Sequence, residues 1–190
     1  MARSGVGGGA NSSGQLGDGS KLPSPTPVQV AALGNDARQV SPGSAWHTCA
    51  WLEDGTAWCW GANDSGQLGN GTTVSSPLPV KVAGLSNVVQ VSAGDTHTGA
   101  CTSDGAVWCW GWNGSGQLGS GTADLGKDTT TPVRAAAPGT VFVEVSAGPN
   151  STCARADDGA VWFWGSRNNG LQADGQLGFS PSGIGLAGCP

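Results

Sequence analysis

Two histidines, six cysteines, two near-matches to nucleotide loops and a set of Asn-x-Ser/Thr triplets are the parts of this chain whose types could do chemistry. Imidazole titrates near neutrality and serves as a general base or a metal ligand. Either role needs partners at fixed spacing, and none flanks His47 or His97. Each ring is therefore expected to tie adjacent strands by a hydrogen bond. Gly5 to Ala10, G-V-G-G-G-A, satisfies a dinucleotide fingerprint, but no strand precedes it and a turn, not a helix, follows. Gly121 to Lys127, G-T-A-D-L-G-K, nearly spells a phosphate loop. Asp128 then stands where a Ser or Thr should hold magnesium, and a carboxylate there repels phosphates. The expectation is a chain with no catalytic, metal-binding or cofactor-binding residues. Asn11, Asn63, Asn70, Asn113 and Asn150 all begin Asn-x-Ser/Thr triplets. In loops this rich in turns, Asn is expected mainly where the backbone must turn left-handed, and glycosylation matters only on a secretory route.

The element that must position all of these is a repeated hairpin. Ala50 to Gly61 reads A-W-L-E-D-G-T-A-W-C-W-G, 100 to 111 reads A-C-T-S-D-G-A-V-W-C-W-G, and 154 to 165 reads A-R-A-D-D-G-A-V-W-F-W-G. An Asp-Gly pair between short apolar runs is a hairpin signal, because Gly supplies the positive φ of a tight turn. Trp58 and Trp60, Trp108 and Trp110, and Trp162 and Trp164 lie two residues apart, so both rings of a pair share one strand face. The other face carries Ala57 and Cys59, Val107 and Cys109, or Val161 and Phe163. A strand apolar on both faces must be covered on both, so the six indoles are structural and the hairpins lie inside stacked sheets.

Glycine-rich loops open each unit: Gly9 to Gly19, Gly61 to Gly71, Gly111 to Gly121, and again from Gly165, where G-Q-L-G returns at 175 to 178. Proline-led runs follow at Pro27-Val-Gln-Val, Pro79-Val-Lys-Val and Pro132-Val-Arg-Ala, then Arg38-Gln-Val-Ser, Val89-Gln-Val-Ser and Val143-Glu-Val-Ser, then the hairpin. That order predicts strands near 27 to 32, 38 to 41, 47 to 52 and 56 to 60, repeated downstream. The divisions are a flexible start at 1–8, repeats at 9–60, 61–110 and 111–164, and a partial fourth at 165–190. Thirty-four glycines and eleven prolines fit a chain punctuated by turns. A formal charge of −5 and eight scattered Lys and Arg argue against nucleic acid, and no apolar run approaches membrane-spanning length. Nor does Met1 to Gly9 resemble a secretion signal.

Units of this length with four antiparallel strands each fit β-propeller blades. The pattern G-x-N-x-x-G-Q-L-G, P-x-x-V, V-S-A-G-x-x-H-T and D-G-x-V-W-C-W-G resembles the regulator of chromosome condensation repeat family from Gly9 to Gly178. The resemblance implies an all-β propeller, about three blades of which are present. Members typically close with seven, so it also implies a longer propeller or a ring completed by association of copies. Neither Met1 to Gly8 nor Ser180 to Pro190 looks like a polar cap. Among the functions the family hosts, a non-enzymatic interaction scaffold is the leading expectation, and guanine-nucleotide exchange on a small GTPase is the alternative. A photoreceptor branch uses a tryptophan in G-W-R-H-T. The matching positions here read S-A-W-H-T at 44 to 48, G-D-T-H-T at 94 to 98 and P-N-S-T at 149 to 152, without that tryptophan.

With a three-residue turn at Glu53-Asp-Gly, Cys49 falls opposite Cys59, away from the Trp pair. The spacing serves two readings, a Cys49–Cys59 disulfide or buried thiols acting as small hydrophobes. Cys101 and Cys109 share a face diagonally, and Cys153 faces Phe163. Six cysteines lean toward an extracellular or cell-surface protein. The loops between the second and third strands and after the fourth leave one face of the disc. That face is expected to gather the G-Q-L-G loops, with Gln15, Gln67 and Gln117, together with Trp46, Asp95 and Trp112. Trp46 and Trp112 each occur in one repeat only. An aromatic that the blade does not require is a candidate anchor for a protein partner or a filler of a local gap between loops.

Overall fold

A computed structural model describes residues 11–44, 46–121 and 127–166, and the backbone of Phe179–Leu186. The dinucleotide-like start, most of the phosphate-loop-like segment and the G-Q-L-G at 175 to 178 lie outside the described residues. Among the described residues, twelve strands form three four-stranded antiparallel sheets. Blade 1 holds β1 (Ala37–Pro42), β2 (His47–Leu52), β3 (Ala57–Gly61) and β4 (Ser76–Lys81). Blade 2 holds β5 (Val88–Ala93), β6 (His97–Thr102), β7 (Val107–Gly111) and β8 (Thr129–Arg134). Blade 3 holds β9 (Phe142–Ala147), β10 (Ser151–Ala156), β11 (Val161–Ser166) and β12 (Phe179–Leu186). The described residues contain no α-helix, only one 3-10 turn at Ala31–Leu33.

The sheets run out of phase with the sequence units. Each blade takes its fourth strand from the proline-led run of the following unit, so Pro79 lies in the β4 of blade 1 and Pro132 in the β8 of blade 2. The strand expected at 27 to 32 does not form: 27–30 joins no ladder, and Ala31–Leu33 coils into the 3-10 turn. Its ladder partner would be a W-x-W-G strand earlier in the chain, and the sequence has no tryptophan before Trp46. Elsewhere the expected strands stand within a residue or two of their places.

Hairpin chemistry sets the register. In blade 1, Leu52 N–H donates to Thr56 O and Gly55 N–H to Leu52 O, closing a three-residue turn with Gly55 at φ +76°. This pairs Trp51 with Ala57 and Cys49 with Cys59. The indoles of β3 and the cysteines of β2 and β3 consequently occupy opposite faces of the sheet.

The core lies between blades. Cys49, Ala57 and Cys59 of blade 1 pack on Val91, Ala100 and Trp110 of blade 2. Cys101, Val107 and Cys109 of blade 2 pack on Val145, Ala154 and Trp164 of blade 3. The cysteine-side face of each sheet thus meets the indole face of the next. The two rings of each Trp pair are not equivalent. Trp60, Trp110 and Trp164 are at most 2% exposed, whereas Trp58, Trp108 and Trp162 are half-buried near the hairpin turns, where the glycine loops do not reach.

Candidate functional site

Each junction is closed by a loop reaching from one blade to the next. The carbonyl of Gln67, in the β3–β4 loop of blade 1, accepts Trp110 Nε1–H at 2.9 Å and Thr98 Oγ1–H at 2.9 Å from blade 2. Gln117 O serves Trp164 Nε1 and Thr152 Oγ1 at 2.8 Å each, and Gln15 O serves Trp60 and Thr48. The leucine that follows is driven inside, with Leu68 and Leu118 fully buried. Only glycine fits next in the motif: a Cβ on Gly69, at φ +68°, would lie 2.6 Å from Trp110 Nε1, and one on Gly119 2.7 Å from Trp164 Nε1.

These contacts correct the placing of the glutamines on a binding face. Gln67 and Gln117 are buried, and their side-chain Oε1 atoms accept Ser65 N–H and Ser115 N–H inside their own loops. Gln15, half-buried, does the same for Ser13 N–H. Asn11, Asn63 and Asn113 are buried too. Asn63 Oδ1 accepts Leu68 N–H and its Nδ2 donates to Thr72 O and Val74 O, so this side chain staples the loop. None of the three has positive φ; the one described non-glycine that does is Asn87.

The histidines act between blades instead of between strands of one sheet. His47 Nε2 pairs with Thr98 Oγ1 and His97 Nε2 with Thr152 Oγ1, both at 2.9 Å. Burial pushes the His47 imidazole down to about 4 and that of His97 to about 3, so both rings are neutral at pH 7. Side chains on the innermost strands complete the junction. Gln39 Oε1 and Ser41 Oγ accept Val91 N–H and Ala93 N–H, and Gln90 and Ser92 do the same for Val145 and Ala147.

The Cys49–Cys59 disulfide is formed across its strand pair, with Cα atoms 4.1 Å apart. Cys101 and Cys109 remain buried thiols, pushed up to about 12 and, for Cys109, higher still by desolvation, so neither is a nucleophile at neutral pH. Among the described residues no group of three His, Cys, Asp or Glu converges as a metal site would.

What remains accessible is the edge of the disc where the β1–β2, β5–β6 and β9–β10 loops emerge beside the β3–β4 and β7–β8 loops. Trp46 is 46% exposed there. Asp95 and Trp112 line one concavity of about 310 Å³ with Ser65, Thr96 and Asn150, residues drawn from the loops of all three blades. Ser44 of blade 1 donates its hydroxyl to Asp95 Oδ1, and Trp112 N–H donates to Thr96 O at 2.9 Å. Ser65 of this rim was not singled out from sequence and Asn150 was marked only as an Asn-x-Ser/Thr triplet, because the fold alone brings them to Trp112.

Indole-clasping glycine loops, inter-blade cores and four-stranded sheets define a β-propeller of repeat type. The chain belongs to the Regulator of chromosome condensation (RCC1) repeat family, whose profile matches residues 7–51, 54–101 and 104–155. The ultraviolet-B receptor UVR8 of Arabidopsis thaliana is 36% identical over 162 residues, 83% of this chain and 36% of the receptor. Among solved structures, human WBSCR16 superposes with a TM-score of 0.75 at 23% identity, over 93% of this chain and 45% of that one. Prp20p from Saccharomyces cerevisiae, a structure described together with its binding to Gsp1p and histones, gives 0.65 at 24% identity over 90% and 42%. These two show the fold. The chain spans about a third of the receptor and under half of each propeller.

Proposed function

We propose that this chain is a non-enzymatic protein-interaction scaffold that presents its loop edge to a protein partner. The observation that carries the reading is the concavity holding Asp95 and Trp112, assembled from loops of all three blades and bearing a tryptophan the other repeats lack, on the loop edge that also exposes Trp46. Prp20p, of the same fold, binds proteins, which supports a partner of that class. A photo-crosslinking amino acid placed at position 46 tests it, against the same group at Glu53 on the opposite edge. Adducts with other proteins should concentrate at position 46; equal labelling at the two edges would overturn the reading. Accelerated nucleotide release from a panel of small GTPases would replace it with the exchange-factor alternative.

The same reading includes a neighbour for the end blades, supplied by a longer propeller or by a second copy. Val161 is 39% exposed on the cysteine-side face of blade 3, where Val107 in blade 2 is 1% exposed. Apolar faces left open in this way are interaction sites or aggregation liabilities. Light scattering on the 190-residue chain at micromolar concentration should show association, and a cooperatively unfolding monomer would contradict it.

A further inference from the structure

We infer that the concavity between Asp95 and Trp112 is a receptor for one cationic side chain of the partner, arginine in preference to lysine. The inference rests on the interaction reading above and adds the chemistry of what is bound. Three departures from the repeat meet at this one place. Position 112 is Ala10, Ala62 or Ser166 in the other units, and 114 is Ser12 or Asp64 where the third unit has Gly114. Asp95 follows the strand-end glycine where the others have Ser44 and Pro149. Trp112 and Gly114 form a matched pair, since a Cβ at 114 would sit 2.2 Å from the Trp112 ring. The glycine therefore lets the indole pack against its own loop. Asp95, half-buried, has its carboxylate oriented by the Ser44 hydroxyl from the neighbouring blade.

Among the described residues that line the concavity Asp95 is the one that carries charge, and the others at its rim, Ser65, Thr96 and Asn150, are neutral and rich in acceptors. A half-buried indole lining the same concavity as a carboxylate oriented by Ser44 complements a cation that also stacks. Guanidinium does both, because it is planar and donates in a fork that matches a carboxylate, whereas ammonium is a compact, strongly hydrated point charge. At about 310 Å³ the space is at the bottom of the roughly 300–1,000 Å³ range of small-molecule sites, which suits one long side chain. A net charge of −5 also favours a basic partner in encounter.

The test uses the full 190-residue chain and three capped peptides, acetyl-Gly-Arg-Gly-amide and its citrulline and glutamate counterparts. The readout is the Trp112 indole NMR resonance, assigned by its loss in Trp112→Phe. The arginine peptide should shift it saturably at millimolar concentration, with citrulline at least about fivefold weaker and glutamate without effect. Asp95→Asn should weaken the arginine response by about the same factor while leaving the unfolding midpoint in place. Equal shifts from arginine and citrulline, or an unchanged response in Asp95→Asn, would overturn the inference. A glutamate response, or no response to any peptide while crosslinks at position 46 persist, overturns the cationic chemistry and leaves the interaction face standing. Silence in both experiments removes both.

Discussion

The same position of the repeat meets two different fates along the chain. Val40, Val91 and Val145 occupy one position of the innermost strands, and their exposures are 54%, 0% and 1%. Val91 and Val145 face a preceding blade, whereas Val40 has none among the described residues. Ala57, Val107 and Val161 tell the same story from the other side, at 1%, 1% and 39%. Strand propensity and alternation are alike at all three positions, so burial here is conferred by the neighbouring blade and not by the strand. This is the behaviour of a quasi-one-dimensional repeat protein, in which interface terms between units supply much of the stability.

The comparison is broken most severely at the centre of a junction. Trp110→Ala removes a fully buried indole together with its bond to Gln67 O, and should cost about 3–5 kcal/mol in urea unfolding. Trp108→Ala, at a half-buried position, should cost less. Equal losses would mean that the two rings of a pair are held alike after all.

Acid should open both junctions together. His47 and His97 have folded pKa values depressed to about 4 and about 3, below the unfolded value of 6.5. The folded state thus resists protonation. Stability is complete above pH 6.5 and falls as pH drops from there toward pH 4, by an amount on the order of a few kcal/mol. Asp54 and Asp104 are held below the usual carboxylate range by the Thr56 and Thr102 side chains, so their titration falls at lower pH. Thermal midpoints of His97→Gln should decline less across pH 6.5 to 4 than those of the parent; an identical slope would show that the buried imidazole is not the source.

The smallest effect belongs to the loop edge. Trp46→Ala removes a side chain 46% exposed and should change unfolding free energy by within about 0.5 kcal/mol. A loss comparable to that of Trp110→Ala would make Trp46 part of the core and withdraw it from the candidate face.

The hairpins, the Trp faces and the opposition of Cys49 to Cys59 were legible because each follows from a local rule, a period of two and a three-residue turn, whereas the choice between disulfide and thiols came from the structure. What was not legible depends on which element lies next in space. The strand at 27–32 failed because ladder partners come from different sequence units, so a repeat boundary drawn on the sequence cuts through a sheet. Gln67 and Gln117 looked like surface residues because a polar side chain in a glycine loop usually is one, but their carbonyls are needed by the next blade's indole and turn the loop inward. His47 and His97 were read as tying strands for the same reason. Their partners Thr98 and Thr152 are about one repeat downstream, a distance over which no local pattern speaks. Trp112 was legible as a departure from the repeat and Asp95 only as a residue of the loop face, and the fold added that they share a concavity, with Gly114 against the indole.

The claim that the neighbour and not the strand confers order is tested most directly by amide hydrogen exchange. Val91 and Val145 N–H are held by Gln39 and Gln90 of the preceding blades, at 3.1 and 2.7 Å. These amides should exchange only with global unfolding, while that of Val40, at the same strand position, should exchange orders of magnitude faster. Equal protection of all three would contradict the account.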